Sequence, residues 1–223
     1  MKIGLIADVH ANLLALKSVI DDMPSAELWI CAGDVVGYYP DINDVCDLLR
    51  RLGALVIRGN HDAYVTGNLS PNPDRKSAYR TEWSRENLEP SNLAWLASLP
   101  VERTFQMGET SIRVRHASPW DEETYVYPDS PHLNKISLES NEIMILGHTH
   151  HPMLVRCGQG TLVNPGSVGQ PRDWNPLASY AVLDTDTHET SFRRVSYDVA
   201  GLQERLSKLK WDSSTVSILS RTR

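Results

Sequence analysis

Five short polar clusters hold most of the side chains in this chain that could do chemistry together. They are Asp8-Val9-His10, Gly33-Asp34, Gly59-Asn60-His61-Asp62, His116-Ala117-Ser118 and Gly147-His148-Thr149-His150. Each directly follows a short apolar run, which places it at the end of a predicted strand. Carboxylate, amide oxygen and imidazole form a donor set suited to borderline divalent metals such as Mn, Fe, Co, Ni or Zn. On an extended segment side chains two apart point to the same side, which pairs Asp8 with His10 and His148 with His150. A glycine before Asp34, Asn60 and His148 lets the backbone turn sharply as it leaves each strand. A single histidine after a strand is most often a satisfied core or surface residue, and Asp after Gly is most often a turn residue. Five such clusters, all ligand-competent and all at strand ends, predict a metal site.

The elements that must position these clusters follow from periodicity. Apolar runs at 2–7, 28–32 and 54–57 alternate with helical spacings. The first helical set is Leu13, Leu14, Leu16, Val19, Ile20 and Met23, closed by Pro24; the second is Val45, Cys46, Leu48, Leu49 and Leu52, ended by Gly53. This alternation predicts βαβ units and a parallel sheet, whose strand carboxyl ends converge on one crevice. Residues 72–99 read as helical, with Tyr79, Trp83, Leu88, Leu93, Trp95 and Leu96 available for burial. After Pro100 short strands are predicted at 101–107, 111–115, 142–146, 153–156, 161–163, 179–184 and 190–197, with a hairpin turn over 184–187. A last amphipathic helix is predicted over about 199–210, and the Ser/Thr-rich tail from about 212 is expected to be loose. The expectation is a single mixed α/β domain over 1–223.

Composition bounds the function. The chain has 223 residues, 41% hydrophobic and 22% charged, close to globular averages, which excludes disorder, collagen and coiled coil. Its formal net charge of −6 argues against general affinity for nucleic acid or an anionic membrane. Cys31, Cys46 and Cys157 are widely spaced and odd in number, so neither a disulfide framework nor a zinc knuckle is expected. The apolar run after Lys2 stops at Asp8, too short for a signal peptide, and no stretch approaches the roughly 18 apolar residues of a membrane span. A reduced, cytoplasmic protein is the expectation.

In order and spacing the motifs DxH (Asp8, His10), GD (Asp34), GNHD (Asn60 to Asp62), His116 after a strand, and GHTH (His148 to His150) resemble the calcineurin-like metallophosphoesterases. GDVVGYYPD from Gly33, RGNHDAYVTG from Arg58 and NPGSVGQPRD from Asn164 look like the bacterial and archaeal branch labelled phosphodiesterase or diadenosine-tetraphosphatase-like. The resemblance extends to about residue 185. It implies an α/β fold, a four-layer αββα sandwich of two mixed β-sheets flanked by helices. It further implies two divalent metals, one held by Asp8, His10, Asp34 and His150, the other by Asp34, Asn60, His116 and His148. Asp34 is then the bridge, and Asp34 and His61 are the catalytic residues. Manganese is the expected metal, with Fe, Ni, Co or Zn as alternatives. A metal-bridging hydroxide would attack phosphorus in line, and His61, not itself a ligand, would protonate the leaving group. The implied substrate is a small phosphate ester, a phosphodiester or a dinucleotide polyphosphate. A phosphomonoesterase and a non-catalytic binding scaffold on the same fold are the alternatives. Neither long nucleic acid nor membrane is an expected partner.

Other residues carry weaker signals. The family's usual His-Gly reads His116-Ala117 here, and Val35-Val36-Gly37 replaces the Asp-Arg-Gly of protein phosphatases, which disfavours that activity. Arg172 could meet a phosphate or pair with Asp173. Trp120, Tyr125 and Tyr127 could form an aromatic lid over the substrate or a rim loop packed for its own stability. The acidic Asp121, Glu122 and Glu123 within that segment argue against long polyanionic substrates. Tyr38 and Tyr39, beside the Asp34 loop, could line the same pocket or pack for local stability. His151 points away from His150; His132 and His188 belong to no cluster and read as surface residues. Lys208, Lys210, Arg221 and Arg223 read as a solvated helix end and tail.

Overall fold

Alternation of apolar strands and amphipathic helices in the first third of the chain builds one half of a two-sheet sandwich. The structure is a computed structural model and describes all residues except Pro24, His188 and Arg223. Strands β1 (Lys2–Ile6), β2 (Leu28–Cys31) and β3 (Leu55–Val56) lie parallel, connected through α1 (Leu13–Asp22) and α2 (Ile42–Arg51). The chain then runs through α3 (Asn60–Thr66), a 3-10 turn (Pro73–Arg75), α4 (Lys76–Tyr79), α5 (Thr81–Asn87) and α6 (Pro90–Ser98). The second sheet has the order β4-β5-β6-β8-β7, from β4 (Glu102–Met107), β5 (Thr110–Arg115), β6 (Glu142–Ile145), β7 (Pro152–Cys157) and β8 (Gly160–Pro165). Within it β5, β6 and β8 are parallel, while β4 and β7 are antiparallel edges. The chain returns to the first sheet as the hairpin β9 (Ala178–Asp184) and β10 (Glu189–Val195), completing the order β10-β9-β1-β2-β3. It ends with α7 (Val199–Lys208) and α8 (Ser213–Ser217). Two mixed five-stranded sheets flanked by helices are therefore present.

Strand alternation decides which side chains face which layer. Ile3, Leu5, Ile30 and Ala181 from the first sheet meet Ile112, Val114, Ile143, Ile145 and Val163 from the second, a dry layer between the sheets. The helices cover the outer face of the first sheet through Leu16, Val19, Val45, Leu49, Leu96, Leu202 and Leu206. The outward Met144, Leu146 and Leu162 of the second sheet are covered by Val126, Ile136 and Leu138, from the segment that contains the 3-10 helix Pro131–Lys135.

Two expectations are corrected here. Residues 72–99 are not one helix: Arg80 takes a left-handed φ of 57° between α4 and α5, and Pro90, lacking an N–H, opens α6 afresh after extended Leu88 and Glu89. The tail is not loose. The Asp212 carboxylate accepts from the N–H groups of Ser214 and Thr215, capping α8, and a 3-10 turn (Ile218–Ser220) follows. Leu219 is 2% exposed and joins the helix-side core. Val216 and Leu219 are the tail's anchors, hidden among serines that made the stretch read as polar. Arg223 lies outside the described residues.

Candidate metal centre

Every parallel strand ends at the same edge of the sandwich, and there the five clusters meet. Asp8 and His10 come together as expected, but not on extended backbone, whereas His148 and His150 part, His150 joining Asp8 and His10 and His148 joining Asp34 and His116. Asp8, His10, Asp34, His148 and His150 have φ values of 52°, 51°, 55°, 68° and 60°. Each strand stops before its ligands, and left-handed backbone, costly for residues with a Cβ, folds these side chains inward. Gly33, with φ 89°, shares that conformation. Gly59 is extended and serves differently: a Cβ there would sit 2.1 Å from Asp34 Oδ1, so only glycine lets the two loops touch.

The four histidines expected as ligands are held in one way. Each donates one ring N–H to a main-chain carbonyl: His10 Nδ1 to Val36 (3.2 Å), His116 Nδ1 to Ala32 (2.7 Å), His148 Nε2 to Glu123 (3.0 Å) and His150 Nδ1 to Gln170 (2.5 Å). The remaining nitrogen of each faces inward, with a lone pair on His10, His148 and His150 and a proton shared toward Asp34 on His116, the orientation that main-chain acceptors give metal-binding imidazoles. His10 Nε2 and His150 Nε2 stand 3.1 Å apart. Two lone pairs so placed repel, whereas nitrogens each about 2.1 Å from a shared metal lie about 3.0–3.4 Å apart. Asn60 Oδ1 lies 3.0 Å from His116 Nε2 and 2.9 Å from His148 Nδ1. Three groups of donors close enough to share an ion result: Asp8, His10 and His150; His10, Asp34 and His61; Asp34, His116 and His148. The donor set fits a divalent metal.

Burial and close charges shift the groups of the centre strongly, in opposite directions. Burial alone would lower the His116 imidazole, yet Asp34, 3.3 Å away, raises it to about 10 by its charge and a hydrogen bond. Burial works against a charged Asp34, but His116, His61 and His10 around it hold its carboxyl well below the usual range. Burial pushes Asp8 up to about 8, with the charge of Asp34 adding to it and that of His116 opposing. Burial pushes His61 down to about 4 and His148 to about 3, and His10 and His150 well below their usual value. Asp62 links the loops: its Oδ2 accepts from Gly59 N–H at 2.9 Å and its Oδ1 from Val36 N–H at 3.1 Å. Asn12 caps α1 through its carbonyl and donates to Gly169 O at 2.9 Å, while Ser167 Oγ donates to Asp8 O at 2.8 Å.

Beside the ligands lies a cleft of about 640 Å³, lined by Tyr38, Tyr79, Tyr125, Gln170, Arg172 and Arg221 among others. The Tyr125 ring stacks on His148 at 3.9 Å, and that of Tyr38 meets His10 at 4.7 Å. Arg172 donates to Tyr38 OH (3.0 Å) and Gln170 Oε1 (2.9 Å); the alternative pairing with Asp173 is not made, since Asp173 pairs with Arg194. Trp120 is a correction: it is 41% exposed, with its ring against His132 and not over the centre. Tyr39 is another, fully buried behind the cleft with its OH bonded to Gln170 and Thr215. The acidic trio turns away from the cleft: Asp121 closes its own loop on Thr124, Glu122 pairs with Arg58, and Glu123 accepts from Tyr64 OH. His132 and His151 are half-buried, and His188 lies outside the described residues. Asp62, Gln170, Tyr79 and Arg221 were not assigned to the site from sequence, although Asp62 lies inside GNHD and Gln170 inside NPGSVGQPRD.

Comparison with known proteins agrees with this geometry. Residues 1–188 match the model of the calcineurin-like phosphoesterase superfamily domain. An uncharacterised protein of Methanocaldococcus jannaschii, MJ0912, is 31% identical, covering 92% of each chain. Phosphodiesterase YfcE of Escherichia coli is 26% identical over 83% of this chain and 89% of its own. The crystal structure of a metallophosphoesterase from Sphaerobacter thermophilus superposes with a TM-score of 0.84 at 29% identity, covering 99% of this chain and 98% of that one. The chain belongs to the calcineurin-like phosphoesterase superfamily and is a metal-dependent phosphoric ester hydrolase.

Proposed function

We propose that the protein is a binuclear hydrolase of small phosphate esters, acting on phosphodiesters or dinucleotide polyphosphates in preference to monoesters. The observation that carries this reading is the position of Asp34. Its Oδ2 lies 3.3 Å from His116 Nε2 and 3.7 Å from His10 Nε2, between two donor sets that share no other residue. Asp8, His10 and His150 form one set; Asn60, His116 and His148 form the other. Cations bound there supply charge neutralisation for phosphate oxygens and acidify water to near neutrality. The His61 backbone N–H holds Asp34 Oδ1 at 2.8 Å, and its ring stands between His10 (4.9 Å) and Tyr79 (4.5 Å). We assign His61 the proton for the leaving alkoxide; an anionic phosphate beside it favours the protonated imidazole, against the effect of burial. The volume beside the ligands gives a second ester group room, which supports diester over monoester. Manganese is our assignment among the borderline metals. The buried, unpaired cysteines support a cytoplasmic location. Among the described residues no helix is long and apolar enough to cross a membrane.

The test is metal-stripped protein, reloaded with Mn²⁺ and assayed on bis(p-nitrophenyl) phosphate and p-nitrophenyl phosphate, with bound manganese counted. Two ions per chain and faster, chelator-sensitive turnover of the diester are expected. One ion per chain overturns the binuclear centre, and preference for the monoester overturns the diester assignment.

A further inference from the structure

The cleft beside the metal ligands has a charge pattern unlike that of the molecule around it. The chain is acidic overall, yet no carboxylate lines this cleft among the described residues, while Arg75, Arg172 and Arg221 all do. None of the three guanidinium groups is in an ion pair among the described residues. Arg172 is held only by neutral oxygens, Tyr38 OH at 3.0 Å and Gln170 Oε1 at 2.9 Å. Its sequence neighbour Asp173 is engaged by Arg194. Arg221 sits over Trp174, its Cζ 4.1 Å from the ring centroid, and donates to the Arg172 carbonyl at 2.9 Å. Its Nε is buried with no hydrogen-bond partner. Buried guanidinium N–H groups normally find acceptors, and fixed, unpaired ones offer a ready site for a phosphate. The cleft adjoins the candidate metal centre, since two of its lining residues touch it, Tyr125 stacking on His148 and Gln170 O accepting from His150.

The wall that carries Arg221 belongs to the C-terminal segment. Ser214, Thr215, Ser217, Ile218 and Arg221 line the cleft, and all lie beyond the residues that match the family domain, 1–188. Trp211 and Leu219 anchor the segment: Trp211 Nε1 donates to Tyr38 O and its ring takes Arg80 at 4.2 Å, while Leu219 is buried. These contacts set the wall against the tyrosines of the opposite side.

We propose that Arg172 and Arg221 form a second anion subsite, walled by the C-terminal segment, that selects esters carrying a further phosphate beyond the scissile one. The substrates are then nucleoside polyphosphate esters or similar phosphoanhydrides, with a flat group against Tyr38, Tyr79 and Tyr125. The inference rests on the phosphoesterase reading above and narrows it.

The test compares two esters with the same nucleoside and leaving group: thymidine 5′-monophosphate 4-nitrophenyl ester and thymidine 5′-triphosphate γ-(4-nitrophenyl) ester, at saturating Mn²⁺. The wild-type protein is expected to favour the triphosphate ester in kcat/KM by about tenfold or more, as expected for a charge-assisted contact. Arg221→Gln and Arg172→Gln, their folds checked by melting temperature, should bring that ratio close to one. Calorimetry of inorganic tripolyphosphate binding to metal-stripped protein gives a second readout, weakened about fivefold or more in both variants. A wild-type ratio near one, or a ratio and tripolyphosphate affinity that both variants keep, overturns the subsite. If no ester is cleaved, the phosphoesterase reading falls, and tripolyphosphate binding alone then decides the subsite.

Discussion

His61 differs from the other imidazoles of the centre in what surrounds it. Those four spend one nitrogen on a main-chain carbonyl, whereas the His61 ring packs among aromatic rings, Tyr79 at 4.5 Å and Tyr38 at 4.7 Å. A ring so placed can turn its nitrogen to a leaving oxygen. His61→Ala should therefore keep its metal content yet slow esters of poor leaving groups by about 10²–10⁴, while nitrophenyl esters suffer less. Metal content and a leaving-group series check it; loss of metal would show that His61 is a ligand. The raised proton affinity of His116 makes a second prediction. Below about pH 10 this imidazole holds a proton that a metal must displace. Metal uptake at pH 7 should release at least one proton, and affinity should rise about tenfold per pH unit for each. Calorimetry in buffers of different ionisation enthalpy reads this directly, and an enthalpy independent of buffer would contradict it.

At the level of elements, the ligand loops are tied to one another more than to the strands they leave. Asp62 touches no donor atom of the centre, yet it holds the amides of Gly59 and Val36 together. Asp62→Asn cannot accept from both, and metal affinity should fall about 10–100-fold, as for other residues that orient ligands. A titration that finds affinity unchanged would remove Asp62 from that role. The donor side chains that gather at this edge were legible in the sequence, because Asp, Asn and His after apolar runs are chemically conspicuous. How they converge was not. Alternation on a strand predicted the Asp8–His10 pairing for the wrong reason, since left-handed backbone at Asp8 and His10 leaves no mark in residue type. Arg80, likewise left-handed, hid the break between α4 and α5. Trp120 looked like Tyr125 in sequence, and only tertiary packing sends one ring to His132 and the other to His148.

Over the whole molecule, the C-terminal segment decides the shape of the cleft. Sequence composition suggested a frayed end, because four serines and a threonine dilute the two apolar anchors between 213 and 220. The structure places Leu219 in the same core as α1 and α2. Leu219→Ala should cost about 2–5 kcal/mol in denaturant unfolding if that packing holds, against about 0.5 kcal/mol or less for a loose tail. The left-handed ligand backbone has a consequence of its own. Five of the candidate ligand residues hold strained conformations, and burial makes the charged form of Asp8 unfavourable. Asp8→Asn should therefore raise the melting temperature of the metal-stripped chain while weakening its hold on metal. Laboratory evolution rewarding heat resistance alone would drift toward inert variants, erasing the active site first.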